Sequence, residues 1–357
     1  MSLKNDTQVL AISNNSLPLA KKVVIVDGMI GGGKNLLSSI VSSLPNVEMW
    51  LYKSEIEHVC ALHYLGHISL DAAKTLINKL TEEEIYNQSI SRNVNFKPSD
   101  HSGLFYASRP FRYIKRLFRS PSKARESLKK EMPILNLMTH VNTSYSKPLF
   151  EALGERLVYI RVSRHPMSVY MLKHNKKWNE YWTTGDRIGP ILYNTYDKKN
   201  HSIDLPFYAK NIEKIYIDAN STDRAIMLID QWIRNSDNFI DEVIKSSKAT
   251  ILEVPYEKFV FQPRPYVEKI ASSLGVKINS VTNKEMRRQG VPRSSLTDAP
   301  KDKVYSNMNR KHTKKNLTLA ENFAQGRAFA EETASSEALS ILDELSKDYE
   351  ERHNIKK

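Results

Sequence analysis

Apolar residues along this chain gather in short unbroken runs, separated by stretches in which they recur every three or four positions. Such a pattern alternates buried strands with amphipathic helices. The first run, Val23-Val24-Ile25-Val26, passes through Asp27 into a turn holding Gly28, Gly31, Gly32 and Gly33, and then into helical spacing from Leu36 to Leu44, which Pro45-Asn46 ends. A second short strand is expected at Val47–Trp50, which would open a βαβ unit. Helical patterning fills Ser54–Ser89, where Thr81-Glu82-Glu83-Glu84 reads as a capping box that starts a new helix. Further strands are expected at Met132–Met138, ending on Thr139-His140, at Arg156–Val162, closing on Ser163-Arg164-His165-Pro166, and at Thr250–Val254. Helices near Lys147–Leu153, over Asp223–Ser246 and over Tyr266–Leu274 separate them. The alternation predicts an α/β fold with a parallel sheet covered on both faces, and polar residues at the C-terminal ends of its strands mark the edge where ligands bind.

With 357 residues and 40% hydrophobic content, the chain can bury a substantial core in one large or two smaller domains, which excludes disorder throughout. The expected division is an N-terminal tail over 1–21, one α/β domain over 22–318 and a charged C-terminal helix over 319–357, packed outside or used in self-association. Two insertions interrupt the domain. Residues 51–131 are helical and become basic and aromatic between Ile90 and Ser122, as either a lid over the site or a packed peripheral helix would. Residues 178–222 are loop-rich, and Trp178, Tyr181, Trp182, Gly185 and Gly189 suit part of an acceptor pocket or a long surface excursion.

Net charge is +13, from 53 Lys+Arg against 40 Asp+Glu, so nucleic acid, acidic glycans and nucleotide phosphates are compatible partners. The excess collects between Arg109 and Lys130 and at Arg310-Lys311-His312-Thr313-Lys314-Lys315, both expected at the surface. No helix-turn-helix or zinc spacing accompanies the charge, which argues against base-specific nucleic-acid readout. Cys60 is the only cysteine, so one chain can form neither a disulfide nor a thiolate zinc site. A reducing compartment follows as the expectation. The polar first twenty residues and the shortness of the Val23–Val26 run give no signal h-region and no membrane span, so a cytoplasmic protein with no membrane partner is expected.

The glycine turn carries the most specific chemistry. Its glycines let backbone N–H groups approach an anion, the following helix adds its N-terminal dipole, and Lys34 supplies a cation. Gly28-x4-Gly33-Lys34 has the spacing of the phosphate-binding P-loop, but Asn35 stands where that motif has the Ser or Thr that holds Mg²⁺. The expected fold class is therefore a P-loop-like three-layer α/β/α sandwich with a central parallel sheet and helical insertions.

This turn, the strand end Thr139-His140 and the strand closing on Arg164-His165-Pro166 occur in an order that resembles the sulfotransferase family that uses 3′-phosphoadenosine-5′-phosphosulfate (PAPS). Arg224–Asn238, with Trp232, looks like that family's Trp-containing helix. Ile251–Phe259 looks like its late strand and Tyr-Glu-Asp-type turn, and Pro263–Val276 like the helix after it. The resemblance covers roughly residues 22–45 and 132–276. It implies that Gly28–Leu37 is the 5′-phosphosulfate loop, with Gly31, Gly32, Gly33, Lys34 and Asn35 as its binding set. The family carries Lys or Arg and then Ser-Gly-Thr-Thr here, so the cation is displaced by three positions, and Lys34 would either neutralise the leaving phosphate or only bind the donor. His140 matches the family's Lys-Thr-His strand end, with Met138 in place of the Lys, which implies a general base. Arg164 implies a contact to the 3′-phosphate. The family's partner Ser is Leu172 here, so Ser168 or Ser163 would have to replace it, and His165 replaces the family's Asp. Arg287-Arg288-Gln289-Gly290 resembles a basic segment that closes on the nucleotide.

The leading expectation is a sulfotransferase with PAPS as donor, no metal, and a hydroxyl or amine acceptor on a small molecule or glycan. An ATP-dependent kinase of a nucleoside or other small molecule is the alternative enzyme, since the glycine–lysine spacing fits it literally and Asp27 lies close by. A non-catalytic nucleotide- or polyanion-binding protein of the same fold is the third reading, motivated by Gly31, Met138 and Leu172 at positions where the family has functional side chains.

Overall fold

A strand with an unbroken apolar run, such as Val23–Val26, needs cover on both faces. β1 (Lys22–Gly28) has it, because it lies at the centre of a five-stranded sheet. The structure is a computed structural model and describes residues 17–182, 189–296 and 317–355. Among these, β1 is followed by β2 (Leu51–Tyr52), β3 (Ile134–Met138), β4 (Leu157–Ser163), β5 (Leu192–Tyr196), β6 (Ser202–Pro206) and β7 (Thr250–Pro255). The sheet runs β2-β3-β1-β4-β7 with every pairing parallel, Val26 lying opposite Met138 on one side and Ile160 on the other. β1 is the point from which the chain goes out to both halves of the sheet. In open α/β sheets the crevice at such a point, beyond the strands' C-terminal ends, is the binding position.

The period of two along β1 divides the core. Val24 and Val26, with Val158, Ile160 and Leu252, face α1 (Lys34–Ser42) and later helices. Val23 and Ile25, with Leu135, Leu137 and Tyr159, face the opposite layer. That layer holds α2 (Ser54–Tyr64), α3 (Leu70–Ser89), α6 (Lys147–Leu153), α7 (Val169–Trp182) and α9 (Ser221–Ser246), the last contributing Ile226, Ile229 and Trp232. Between them in sequence come α4 (Pro110–Arg116), α5 (Pro121–Glu131) and α8 (Glu213–Asp218). The first face is completed by α10 (Tyr256–Phe261), α11 (Pro263–Ser273) and α12 (Ser280–Arg288). This is the three-layer α/β/α arrangement that the alternation predicts.

Several local expectations are corrected. The strand expected at Val47–Trp50 begins later: Val47 makes one isolated bridge to Ile134, and only Leu51–Tyr52 pairs as a strand. Thr81 opens no helix. It lies within α3, and its hydroxyl donates back to the carbonyls of Ile77 and Asn78 at 3.0 Å, so its polar group is satisfied without a cap. The stretch expected to be loop-rich contains the antiparallel hairpin β5–β6 and the short α8, and it buries Phe207, Tyr208 and Tyr216. Gly185 lies outside the described residues.

The basic, aromatic stretch is not a lid. Arg109 donates to the carbonyls of Ser43 and Leu44, just past the C-terminal end of α1, whereas the glycine turn is at the N-terminal end of that helix. The C-terminal segment forms two helices, α13 (Leu319–Glu331) and α14 (Ser336–His353), which place Phe323 in one core layer and Leu342 and Leu345 in the other. The basic run Arg310–Lys315 lies outside the described residues.

Candidate functional site

The loops leaving β1, β3, β4 and β7 meet at the C-terminal edge of the sheet, and hydrogen bonds lock them together. Asp27, fully buried at the end of β1, accepts from Thr139 Oγ1 at 2.9 Å, from the Asn142 N–H at 3.1 Å, and from Thr143 through its N–H at 2.9 Å and its hydroxyl at 2.6 Å. Both carboxylate oxygens are thus used to hold the β3 exit loop against β1. Past Asp27 the chain turns through Gly33, whose φ of 101° lies in the left-handed region, and a Cβ there would meet the Tyr256 ring at 2.3 Å. Only glycine fits. α1 opens at Gly33 with no side-chain cap from that residue, and its N-terminal dipole points into the turn.

Lys34 is buried directly under this turn. Its Nζ donates to the carbonyls of Gly28 at 2.7 Å and Met29 at 2.8 Å. Burial lowers its pKa from 10.5 to about 8, against the opposing charges of Asp27 and Glu57. Glu57, from α2, faces the same space. Its Oε1 accepts the His140 N–H at 2.6 Å and lies 3.4 Å from His140 Nδ1, while its Oε2 accepts from the Tyr52 hydroxyl at 3.0 Å. Burial pushes the Glu57 carboxyl up to about 8, the charge of Asp27 adding to the rise and the His140 N–H, Tyr52 and Lys34 opposing it.

His140 keeps 29% of its side chain exposed and meets Tyr52 edge-on at 4.7 Å between ring centroids. Burial, then the neighbouring Lys34 charge, hold its imidazole well below the ordinary range. It is therefore neutral at physiological pH. Cys60 is buried nearby, near Asn142, and burial pushes its thiol up to about 12, so it stays protonated.

On the other side of β1, Arg164 follows directly on β4. Its Nη1 donates to the Gly31 carbonyl at 2.7 Å, and its guanidinium lies 4.1 Å from the centre of the Tyr256 ring and 5.5 Å from that of Tyr170. Tyr256, at the end of β7, accepts from Arg293 Nη1 at 2.9 Å, which brings a second guanidinium to the same wall. Arg164 Nε, Ser163 Oγ and Ser168 Oγ are buried with no hydrogen-bond partner among the described residues, and Ser168 is only 2% exposed. Buried polar groups are rarely left so, and here they are the cation's own Nε and the hydroxyls of two serines close to it in sequence. His165 is turned away from it, with Nε2 2.9 Å from Glu350 Oε1, Nδ1 accepting the Met167 N–H and the ring stacked on Phe323 at 3.6 Å.

Gly31, Gly32, Gly33, Lys34 and Arg164 thus meet around one turn, with the half-buried Asn35 in the first helical turn behind them, while Ser168 is buried four residues beyond Arg164. His140 stands on the β3 side of the same turn. Met138 and Leu172, where the family carries Lys and Ser, are core residues at 4% and 1% exposure. Arg288, in the basic segment expected to close on a nucleotide, bonds Glu285 at 2.8 Å and the Tyr106 carbonyl. Three side chains went unassigned in the sequence: Glu57, Tyr256 and Arg293. Tyr256 and Glu257 directly follow a strand, which is a legible signal, whereas nothing in the sequence pairs Glu57 with a histidine 83 residues away. The assembled donors can bind an anion, with a neutral imidazole beside it.

No family model matches the chain, and no curated protein matches it. Among solved structures, it is similar to the sulfotransferase domain of the Synechococcus PCC 7002 olefin synthase, at 14% identity over 90% of this chain and 98% of that one, with a TM-score of 0.40. The sulfotransferase domain from the curacin biosynthetic pathway matches at 12% identity over 88% and 98%, with a TM-score of 0.41. Sulfotransferase STF9 from Mycobacterium avium matches at 9% identity over 95% and 78%, with a TM-score of 0.42. Likeness of this extent carries no argument about chemistry, which rests on the residues above.

Proposed function

We propose that this protein is a sulfotransferase that moves a sulfuryl group from PAPS to a hydroxyl or amine of a small-molecule or glycan acceptor. The observation that carries this reading is the pairing of cations with unsatisfied donors around one glycine turn: Arg164 and Lys34 both hold its carbonyls, while Arg164 Nε and Ser168 Oγ are buried without partners among the described residues. These groups fit a ligand with two separated anionic ends. The first-turn amides of α1 and Lys34 would receive the 5′-phosphosulfate, and Arg164 with Ser168 the 3′-phosphate. The collinear motif resemblance supports the same assignment.

In the transfer, an acceptor oxygen or nitrogen forms a bond to sulfur as the bond between sulfur and the bridging phosphate oxygen breaks, and the leaving phosphate keeps the electron pair. The acceptor's proton goes to His140, which is neutral and held by Glu57 through its backbone N–H. Lys34 supplies positive charge where the leaving phosphate gains negative charge. The kinase reading would use Asp27 for magnesium, but both of its oxygens are already bonded to Thr139, Asn142 and Thr143.

Calorimetric titration with adenosine 3′,5′-bisphosphate tests the proposal. Binding is expected, weakened about 30- to 100-fold in Arg164→Ala, the loss typical of charge-assisted hydrogen bonds to a buried phosphate. Binding should also weaken as pH rises through about 8, where Lys34 gives up its charge. ATP–Mg²⁺ binding without bisphosphate binding would overturn the reading in favour of a kinase. Bisphosphate binding with no sulfuryl transfer in either wild type or His140→Ala would leave a binding protein.

A further inference from the structure

The short helix α4 is built inside out. Its polar side chains face the protein: the Tyr113 hydroxyl donates to Glu48 Oε2 at 2.8 Å, and Arg116 holds the same carboxylate at 2.7 and 3.0 Å, all three side chains being buried. Its apolar side chains, and those just beyond its end, face water: Phe111 is 74% exposed, Ile114 39%, Leu117 46% and Phe118 87%. The spacing puts these four on one side of the helical turn, and the bonds to Glu48 prevent a rotation that would bury them. Isolated exposed apolar residues need no explanation, but a contiguous patch marks an interaction surface.

The surroundings of the patch identify what it meets. Between residues 109 and 130 there are nine Lys or Arg and one acidic residue, Glu126. Several of the arginines are used internally, but Lys115, Lys123, Lys129 and Lys130 are exposed and form no ion pair among the described residues. A second copy of the chain would bring cations against cations. An acidic peptide would use the lysines and leave four apolar side chains in water. Among the described residues no helix is long and apolar enough to cross a membrane, so a lipid contact here is made from the surface.

We propose that this face docks on an anionic membrane, with Phe111, Leu117 and Phe118 entering the acyl boundary and the four lysines meeting lipid phosphate and carboxylate. A bilayer surface joins an apolar interior to negative headgroups, and this stretch exposes both apolar side chains and lysines that form no ion pair among the described residues. Because α4 is tied to the C-terminal end of α1, docking leaves the glycine turn at the opposite end of that helix uninvolved.

The test is co-sedimentation of the full chain with vesicles of phosphatidylcholine alone or mixed with phosphatidylserine. The protein should pellet with the mixed vesicles and stay in solution with the neutral ones, and added salt should weaken its binding. Phe111→Ser with Phe118→Ser should weaken binding about ten-fold or more, and each lysine changed to Glu by about five-fold or more. All of these positions are exposed, so the variants should keep the wild-type urea midpoint, which is the control for folding. Equal pelleting with both vesicle types, no pelleting with either, or unchanged binding by the variants would overturn the proposal. So would a dimer in solution that Phe118→Ser dissociates, since that would assign the face to a second copy.

Discussion

Gly33 and Glu57 are single residues on which the site's geometry and charge depend. A Cβ on Gly33 would both strain a φ of 101° and strike the Tyr256 ring, which Arg164 in turn covers. Gly33→Ala is therefore expected to cost about 1–3 kcal/mol and to weaken bisphosphate binding, because relief requires Tyr256 to move from beneath Arg164. Urea denaturation and calorimetry on the same preparation check this, and wild-type values in both would refute the packing argument. Glu57 acts through protonation. Its carboxyl ionises near 4.5 in the unfolded chain and at about 8 when folded, so between these values the unfolded state has lost a proton that the folded state keeps. Stability should fall as pH rises across that window. Lys34 has the opposite sign: its folded value of about 8 lies below 10.5, and stability should recover above about pH 8. Glu57→Gln keeps the shape and removes the titration, so its advantage over wild type should grow between pH 5 and 8, to the order of a few kcal/mol, and then level off. Parallel stability curves for the two proteins would show that Glu57 ionises normally.

At the scale of elements, α4 and the loop before β2 depend on one buried carboxylate. Burial alone would raise the Glu48 pKa, but the hydrogen bond from Arg116 and the charges of Arg112 and Arg116 outweigh it and hold the group below its ordinary range. Its contribution is present above about pH 4.5 and is lost as pH falls toward the folded value. Glu48→Gln should cost about 3–5 kcal/mol at neutral pH, because it leaves the guanidinium of Arg116 buried and uncompensated. A loss below 1 kcal/mol by urea titration would mean that the triad does not fix α4.

The same elements show which signals the sequence carries. β1, β3, β4 and β7 were legible because each is a short run dominated by apolar and β-forming residues, with at most one polar residue inside it, and the glycine turn because its chemistry is local. β2 was misplaced by a few residues, since only two residues pair and Val47–Trp50 is buried by side-chain packing rather than in the sheet. The hairpin β5–β6 was missed because β5, Leu192–Tyr196, mixes polar and apolar residues without clean alternation, and β6, Ser202–Pro206, alternates over only four residues before a proline. The basic, aromatic composition around Phe118 fitted a lid and a packed peripheral helix equally. What decided between the two was Arg109 at the far end of α1, a contact across 65 residues that no local pattern encodes.

Considered as a whole, the molecule places its C-terminal helices behind the candidate site. His165, directly after Arg164, is held by Phe323 from α13 and Glu350 from α14, while the Tyr349 hydroxyl donates at 2.7 Å to Glu257 in the first turn of α10, directly after β7. Gly326 lets α13 approach so closely that a Cβ would lie 1.7 Å from the Met167 carbonyl oxygen. Met167 lies between Arg164 and Ser168, the two residues proposed to hold the 3′-phosphate. Gly326→Ala must therefore move either the helix or that loop, although it lies outside the site. The expected result is a loss of about 1–3 kcal/mol of stability together with a several-fold fall in bisphosphate affinity. Tyr349→Phe removes the hydroxyl shared between Glu257 at 2.7 Å and the Ser163 carbonyl at 3.5 Å without adding bulk, so about 1 kcal/mol of stability and little affinity should be lost. That contrast is what identifies the helices as a brace for the β4 exit loop. If Gly326→Ala lowered stability but left bisphosphate binding intact, the C-terminal helices would support the core alone and the loop carrying Arg164 would hold its shape without them.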